Sequence, residues 1–335
     1  MVSASPLYVP RRPVRIVTAA ALFDGHDAAI TIMRRILQSQ GAEVIHLGHN
    51  RSVDEVVIAA VEEDADGVAL SSYQGGHLEY FGYLVEALRA RGAGHVKVFG
   101  GGGGVIVPEE IETLHAAGVT RIFSPQDGQR LGLARMVNQI IEACDTGIPE
   151  GAALRDQAAA ALDRLGTGDP AALARLITLL QAGVLAEAEL AAVRGAATAN
   201  RVPVLGITGT GGSGKSSLTD ELVRRLRRDQ QDKLRTAVLA VDPSRRRGGG
   251  ALLGDRIRMN CLDGDRVFFR SMATRGGGTE LPACLPDVVA ACRAAGFDLV
   301  VVETPGIGRG GRRDRRDRRC LAVRDDRGVR RRLAA

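Results

Sequence analysis

The chain has 335 residues, 45% of them apolar, and a formal net charge of +6; that length suffices for two domains with a core each. No run of 18 apolar residues occurs, and the opening MVSASPLYVPRRPV has no apolar h-region, so the expectation is a cytoplasmic protein with no membrane partner. The charge does not point to nucleic acid: from Arg309 to Ala335 twelve arginines face four aspartates, while the 308 residues before them carry a net −2.

Five cysteines, Cys144, Cys261, Cys284, Cys292 and Cys320, stand 117, 23, 8 and 28 positions apart. That pattern fits neither a paired metal knuckle nor a disulfide framework, so reduced thiols are expected.

Short apolar runs alternate with helical patterns over the first 145 residues. Strands are predicted at Arg15 to Ala20, Glu43 to Leu47, Gly67 to Ser71, Lys97 to Gly100 and Arg121 to Phe123. Helices are predicted at Asp27 to Gln40, Ser52 to Glu63, His77 to Arg91, Pro108 to Ala117 and Gln129 to Cys144. This alternation implies an α/β fold with a parallel, doubly wound sheet, whose ligands bind where strands end at their carboxyl side.

Residues 150–200 are rich in Ala, Leu, Arg and Glu, with Gly166-Thr167-Gly168-Asp169-Pro170 marking a break and a new helix start, and read as a helical linker. An apolar strand from Val202 to Thr208 then enters Gly209-Thr210-Gly211-Gly212-Ser213-Gly214-Lys215-Ser216, which satisfies GxxxxGK[ST] at every defined position and precedes an amphipathic helix to about Arg228. Glycines here let backbone amides face phosphate oxygens, and the helix adds the positive end of its dipole. The lysine of this motif neutralises β and γ phosphates and its serine ligates magnesium. Further strands are predicted from Thr236 to Val241, ending at Asp242, from Arg266 to Arg270, and from Phe297 to Val302, ending at Glu303. Carboxylates at such strand ends suit a hard cation that prefers oxygen ligands.

After Gly308 the pattern collapses, and nearly half of the remaining residues are arginine. A disordered basic tail is one reading. Three lysines against 42 arginines suggest a GC-rich gene, whose codons read in a shifted frame would yield Arg, Gly, Ala and Asp. The expectation is that residues 309–335 are out of frame or disordered.

Three loops at strand ends draw attention in the first half. The first is Phe23-Asp24-Gly25-His26-Asp27, where a histidine two residues after an aspartate can ligate a metal while the carboxylate holds its other ring nitrogen. The second is Ser71-Ser72-Tyr73-Gln74-Gly75-Gly76-His77, and the third is five glycines from Gly100 to Gly104. Such a glycine run allows a bulky ligand to lie directly on the backbone, and a slack linker fits badly because Val105-Ile106-Val107-Pro108 resumes structure at once. His46 and His49 read as ordinary residues bracketing a strand end, and His77, His95 and His115 have no partner at ligand spacing.

These loops resemble the cobalamin-binding domain of adenosylcobalamin-dependent acyl-CoA mutases, whose pattern is DxHxxG, SxL and GG. This chain has DGHDAA, SSY and GGGGG, so Asp and His match, while Ala29 replaces the last glycine and Tyr73 the leucine. The resemblance implies a flavodoxin-like domain in which His26 is the cobalt ligand in place of the cofactor's own benzimidazole. Asp24 would orient His26, Ser71 would meet the displaced benzimidazole, and Gly101 and Gly102 would make room for it.

The phosphate-loop half, with its DPS element at Asp242, LGDRIRM from Leu253 to Met259 and ETPG from Glu303, resembles the metallochaperone GTPases that serve these mutases; the helix from Ala171 to Leu180 resembles that family's N-terminal extension. By that match Gly209, Gly211, Gly212, Ser213, Gly214, Lys215, Ser216 and Ser217 cradle GTP and Arg258 approaches it. Ser216, Asp242, Asp255, Glu303 and Thr304 would surround Mg2+, with Lys215 and Glu303 as catalytic residues.

The two modules occur in this order in the fused isobutyryl-CoA mutases. The implied arrangement is a cobalamin-binding domain over 10–146, a helical linker over 150–200 and an incomplete P-loop GTPase domain over 201–308. The implied function is the adenosylcobalamin- and GTP-binding portion of an isomerase that interconverts isobutyryl-CoA and n-butyryl-CoA by radical rearrangement, the GTPase gating cofactor loading. Acyl-CoA would be met only through a mutase domain outside this sequence, in a homo-oligomeric full-length form. No NKxD base-reading element follows Gly308, so preference for GTP rests on the resemblance. The alternative is a stand-alone nucleotide-dependent cobalamin chaperone or carrier.

Overall fold

The computed structural model describes residues 6–198, 200–244, 249–275 and 281–305, together with the backbone of 320–324 and 330–333. In chain order the elements are β1 (Arg15–Ala21), α1 (Asp27–Ser39), β2 (Glu43–Arg51), α2 (Val53–Glu62), β3 (Gly67–Ser71), α3 (His77–Ala90), β4 (Lys97–Gly101), α4 (Pro108–Ala117), β5 (Arg121–Phe123), α5 (Pro125–Leu131) and α6 (Leu133–Cys144). There follow α7 (Gly151–Leu165), α8 (Pro170–Ala182), α9 (Glu187–Ala197), β6 (Val204–Thr208), α10 (Lys215–Asp229), β7 (Thr236–Asp242), β8 (Ala251–Leu253), β9 (Val267–Ala273), α11 (Leu285–Ala294), β10 (Leu299–Glu303), β11 (Cys320–Arg324) and β12 (Arg330–Leu333). The chain divides into two units, the first formed by 1–148 with 244–254 and the second by 149–243 with 255–335.

In the first unit the strand order is β5-β4-β3-β1-β2-β8, with every pair parallel. Every residue of β1 and β3 is buried, as a parallel sheet covered on both faces requires. Strand order reverses between β1 and β3, and a doubly wound sheet opens its ligand crevice at that switch point. On one face Ile16, Val44, Ala69 and Phe99 pack against Leu37 of α1 and Val137 and Ile141 of α6. At the opposite, amino end, Arg15 is buried with Nη1 2.7 Å from Glu43 and Nη2 2.5 Å from Glu63.

Two sequence expectations shift here. The helix expected from Gln129 to Cys144 breaks into α5 and α6 at Gly132, whose φ of 73° lies in the left-handed region that glycine enters freely. β2 runs on to Arg51, so His46 and His49 lie within the strand rather than around its end.

The second unit has the order β12-β11-β6-β10-β7-β9, parallel through β6, β10, β7 and β9 and antiparallel at β11 and β12. The helices of the expected linker are built into this unit: Leu173, Leu176 and Ile177 of α8 share a core with Ala237, Leu239, Phe268 and Val300 of the sheet. The run from 309 onward, expected to be out of frame or disordered, falls largely outside the described residues; within it the structure has β11 paired to β6 and β12 to β11. Cys144, Cys261, Cys284 and Cys292 are free thiols. Among the described residues no helix is long and apolar enough to cross a membrane.

Candidate cofactor and nucleotide sites

The β1–α1 loop places a buried carboxylate beneath an exposed imidazole. Asp24 is 2% exposed, and its Oδ1 accepts the His26 amide at 2.9 Å and lies 2.9 Å from His26 Nδ1. Its Oδ2 accepts the Tyr73 amide at 2.8 Å. An ionised carboxylate only accepts, so the imidazole hydrogen sits on Nδ1 and the Nε2 lone pair is left for a metal. The His26 side chain is 73% exposed, and the Tyr73 ring lies 5.3 Å from it, centroid to centroid.

An apolar cavity of about 280 Å³ opens along the carboxyl ends of β3 and β4 in the same unit. Its walls include Ile30, Met33, Phe99, Phe123 and Ile140, with Gly100 to Gly103 and Ser71. Ser71 Oγ is buried and has no hydrogen-bond partner, an arrangement that costs free energy unless a ligand supplies one. The glycines differ in what they do. A Cβ on Gly100 would meet Phe81 and Ile122 at 2.4 and 2.7 Å, and one on Gly102 would lie 2.0 Å from the Ser72 carbonyl oxygen. On Gly101 the nearest atom would be Phe123 O at 3.4 Å, so the fold has room for a Cβ at this position of the cavity wall. An apolar group carrying a hydrogen-bond acceptor suits these walls and this hydroxyl.

The second unit carries the phosphate loop. Gly212 and Gly214 adopt φ of 78° and 84°, and Gly214 caps α10, whose first residues are Lys215, Ser216 and Ser217. Lys215 Nζ donates to the carbonyls of Gly209 and Thr210 at 3.3 and 3.1 Å, across the loop that includes Gly211 and Ser213. Ser216 Oγ lies 2.7 Å from Glu303 Oε1 and 3.2 Å from Asp255 Oδ1, and Arg258 Nη1 donates to Asp255 at 2.9 Å. Glu303 is buried, which pushes its carboxyl above the usual range, and Asp255 adds to the rise; bonds from Ser216 and Thr219 oppose it. Thr304 Oγ1 is buried without a partner.

Lys215, Ser216, Asp255, Arg258, Glu303 and Thr304 line one cavity of about 350 Å³, together with Asp242, Gly211 and Ser217. Among the described residues no three His, Cys, Asp or Glu side chains converge as a metal cage, so Asp242, Asp255 and Glu303 share the cavity without closing on one point. Magnesium asks for no such cage, since it keeps several waters and takes one or two carboxylates plus substrate phosphates. The sequence reading missed Thr219, whose Oγ1 donates to Glu303 Oε2 at 3.0 Å; its place one helical turn after Ser216 was the available signal.

Both units have counterparts among known proteins. The B12 binding domain family matches residues 14–129, and the family described as methylmalonyl Co-A mutase-associated GTPase MeaB matches 173–312. The chain is 69% identical over 306 residues to a fused isobutyryl-CoA mutase of Nocardia farcinica, covering 91% of this chain and 28% of that protein. The chain carries a B12 binding domain followed by a MeaB-type GTPase domain. A second fused isobutyryl-CoA mutase, from Cupriavidus metallidurans, is 59% identical over 92% of this chain and 28% of its own length. The pivalyl-CoA mutase small subunit of Xanthobacter autotrophicus is 41% identical over 120 residues, 36% of this chain and 78% of that subunit. The sequence thus holds a cobalamin module and a GTPase module and spans 28% of the length of these two fused relatives.

Proposed function

We propose that this chain is the cofactor-handling portion of an acyl-CoA mutase: it binds adenosylcobalamin in the first unit and Mg2+-GTP in the second, and in the whole enzyme serves the interconversion of isobutyryl-CoA and n-butyryl-CoA. The observation that carries the reading is the Asp24–His26 pair, which leaves Nε2 of an exposed histidine open to a metal. Adenosylcobalamin, when bound, supplies the homolytic cobalt–carbon chemistry that starts a radical 1,2 rearrangement.

The chain's own residues do the holding. His26 presents Nε2 to cobalt, and Asp24 keeps the hydrogen on Nδ1 and the ring in one orientation. Ser71 donates to the base of the nucleotide tail, and the glycine run leaves the cavity open for that base. In the second unit Lys215 and the α10 amino end would meet the phosphates; Ser216, with Asp242, Asp255, Glu303 and Thr304, would hold magnesium, which would neutralise phosphate charge, and Arg258 would approach the nucleotide. Glu303 accepts from both Ser216 and Thr219, so one carboxylate bridges the first two turns of α10. Hydrolysis by this module is proposed to gate cofactor loading, in a homo-oligomeric, cytoplasmic enzyme.

Two titrations test the two halves. Adenosylcobalamin added to the chain should change the absorption spectrum as His26 coordinates cobalt, and His26→Ala should remove the change. Mg2+-GTP should bind the same protein and lose at least tenfold in affinity with Lys215→Ala. An unchanged wild-type spectrum, or GTP affinity indifferent to Lys215, would end the corresponding half of the proposal.

A further inference from the structure

His77 starts α3 at the end of the loop that carries Ser71 and Tyr73. It is 3% exposed, and both ring nitrogens are engaged: Nδ1 lies 3.1 Å from the Gln74 carbonyl oxygen and Nε2 2.9 Å from Glu110 Oε2. The same Glu110 oxygen accepts the Val107 amide at 3.0 Å. One carboxylate oxygen therefore joins the start of α3 to the start of α4, across 33 residues of sequence. The Val107 amide first, and then His77, hold the Glu110 carboxyl below its usual range.

The two loops so joined, 72–76 and 102–107, flank the apolar cavity. Near their strand ends they already touch, the Ser72 amide donating to the Gly101 carbonyl at 2.9 Å and Gly102 lying against the Ser72 carbonyl. Tyr73 packs against Gly103, where a Cβ would come within 2.9 Å of its ring. These contacts set the inner ends, and the His77–Glu110 link sets the outer ends. A helix cap alone would need only the Glu110–Val107 bond, whereas burying an imidazole against it is costly unless the ring is fully bonded.

We infer that His77 and Glu110 are positioning residues for the cofactor's nucleotide tail, holding the serine loop and the glycine loop at the separation that the tail requires. The inference rests on the cobalamin reading above. His26 depends on the pair less, because Asp24 fixes it from the β1–α1 loop.

The test uses the full chain with His77→Ala and Glu110→Ala, singly and together, titrated with adenosylcobalamin and with adenosylcobinamide. The latter keeps cobalt, corrin and adenosyl group but has no nucleotide tail; coordination by His26 is read from absorption. Each single substitution should raise the Kd for adenosylcobalamin at least tenfold and leave that for adenosylcobinamide within twofold. The double variant should be no worse than the weaker single one, because one link is being cut. Glu110→Gln, which can still accept from Val107 and face the ring, should recover most of the affinity. Glu110 is partly exposed, with 30% of its side chain accessible, so its variants keep the test decisive if His77→Ala fails to fold. Equal losses for both ligands, or none for adenosylcobalamin, would overturn the positioning role while leaving the cobalamin reading intact. A wild-type chain that takes up neither ligand would overturn both.

Discussion

A Cβ on Gly102 would lie 2.0 Å from the Ser72 carbonyl oxygen, whereas one on the adjacent Gly101 finds nothing closer than 3.4 Å. The two residues, indistinguishable in the sequence GGGGG, should therefore respond differently to substitution. Gly101→Ala should fold with near wild-type stability and weaken adenosylcobalamin binding, since its methyl adds bulk to a residue that lines the cavity. Gly102→Ala should cost about 1–3 kcal/mol by overpacking against backbone, read by urea denaturation. If both changes cost the same stability, the distinction fails. His46 offers a separate measurement. Burial, reinforced by the charge of Arg34, pushes its imidazole down to about 4, while the unfolded chain titrates near 6.5. As pH falls the unfolded state takes up the proton first, so stability present at pH 7 drains away between pH 6.5 and 4. Roughly 1.5 kcal/mol should go between pH 6.5 and 5, and His46→Leu should flatten that part of the profile.

At the level of elements, periodicity located much of the fold. β3 and β5 have the boundaries that their apolar runs predicted, and α4 begins at its proline as expected. What periodicity could not see is pairing between distant segments. β8 is three residues long, too short to show alternation, and it is a strand only because β2 offers it a parallel edge. His77 lacked a partner by sequence spacing because Glu110 reaches it through two separate helix starts. Asp24 and His26 were legible for the opposite reason, being two residues apart in one loop. The helices α7 to α9 read as a linker because their composition is simple; their buried residues show that they complete a core instead. Leu176 is fully buried there, so Leu176→Ala should cost about 2–5 kcal/mol in chemical denaturation of the second unit. A loss under about 0.5 kcal/mol would restore the linker interpretation.

The chain as a whole enters the first unit twice, once through residues 1–148 and again through 244–254. A fragment ending at residue 148 therefore lacks β8 and leaves the row of amides and carbonyls on β2 unpaired, an invitation to strand pairing between copies. Light scattering should show concentration-dependent association of the 1–148 fragment, reduced when the peptide 249–254 is appended through a flexible linker. Monomeric behaviour of the bare fragment would mean that β8 is dispensable. The same threading bears on heredity. A recombination point near residue 149 that exchanged the first unit for a cousin's would leave the resident β8 beside a foreign β2. An inherited swap must carry a second, short patch of gene with it, so the two binding modules evolve less like beads on a string than like a garment whose hem is cut from the neighbouring cloth.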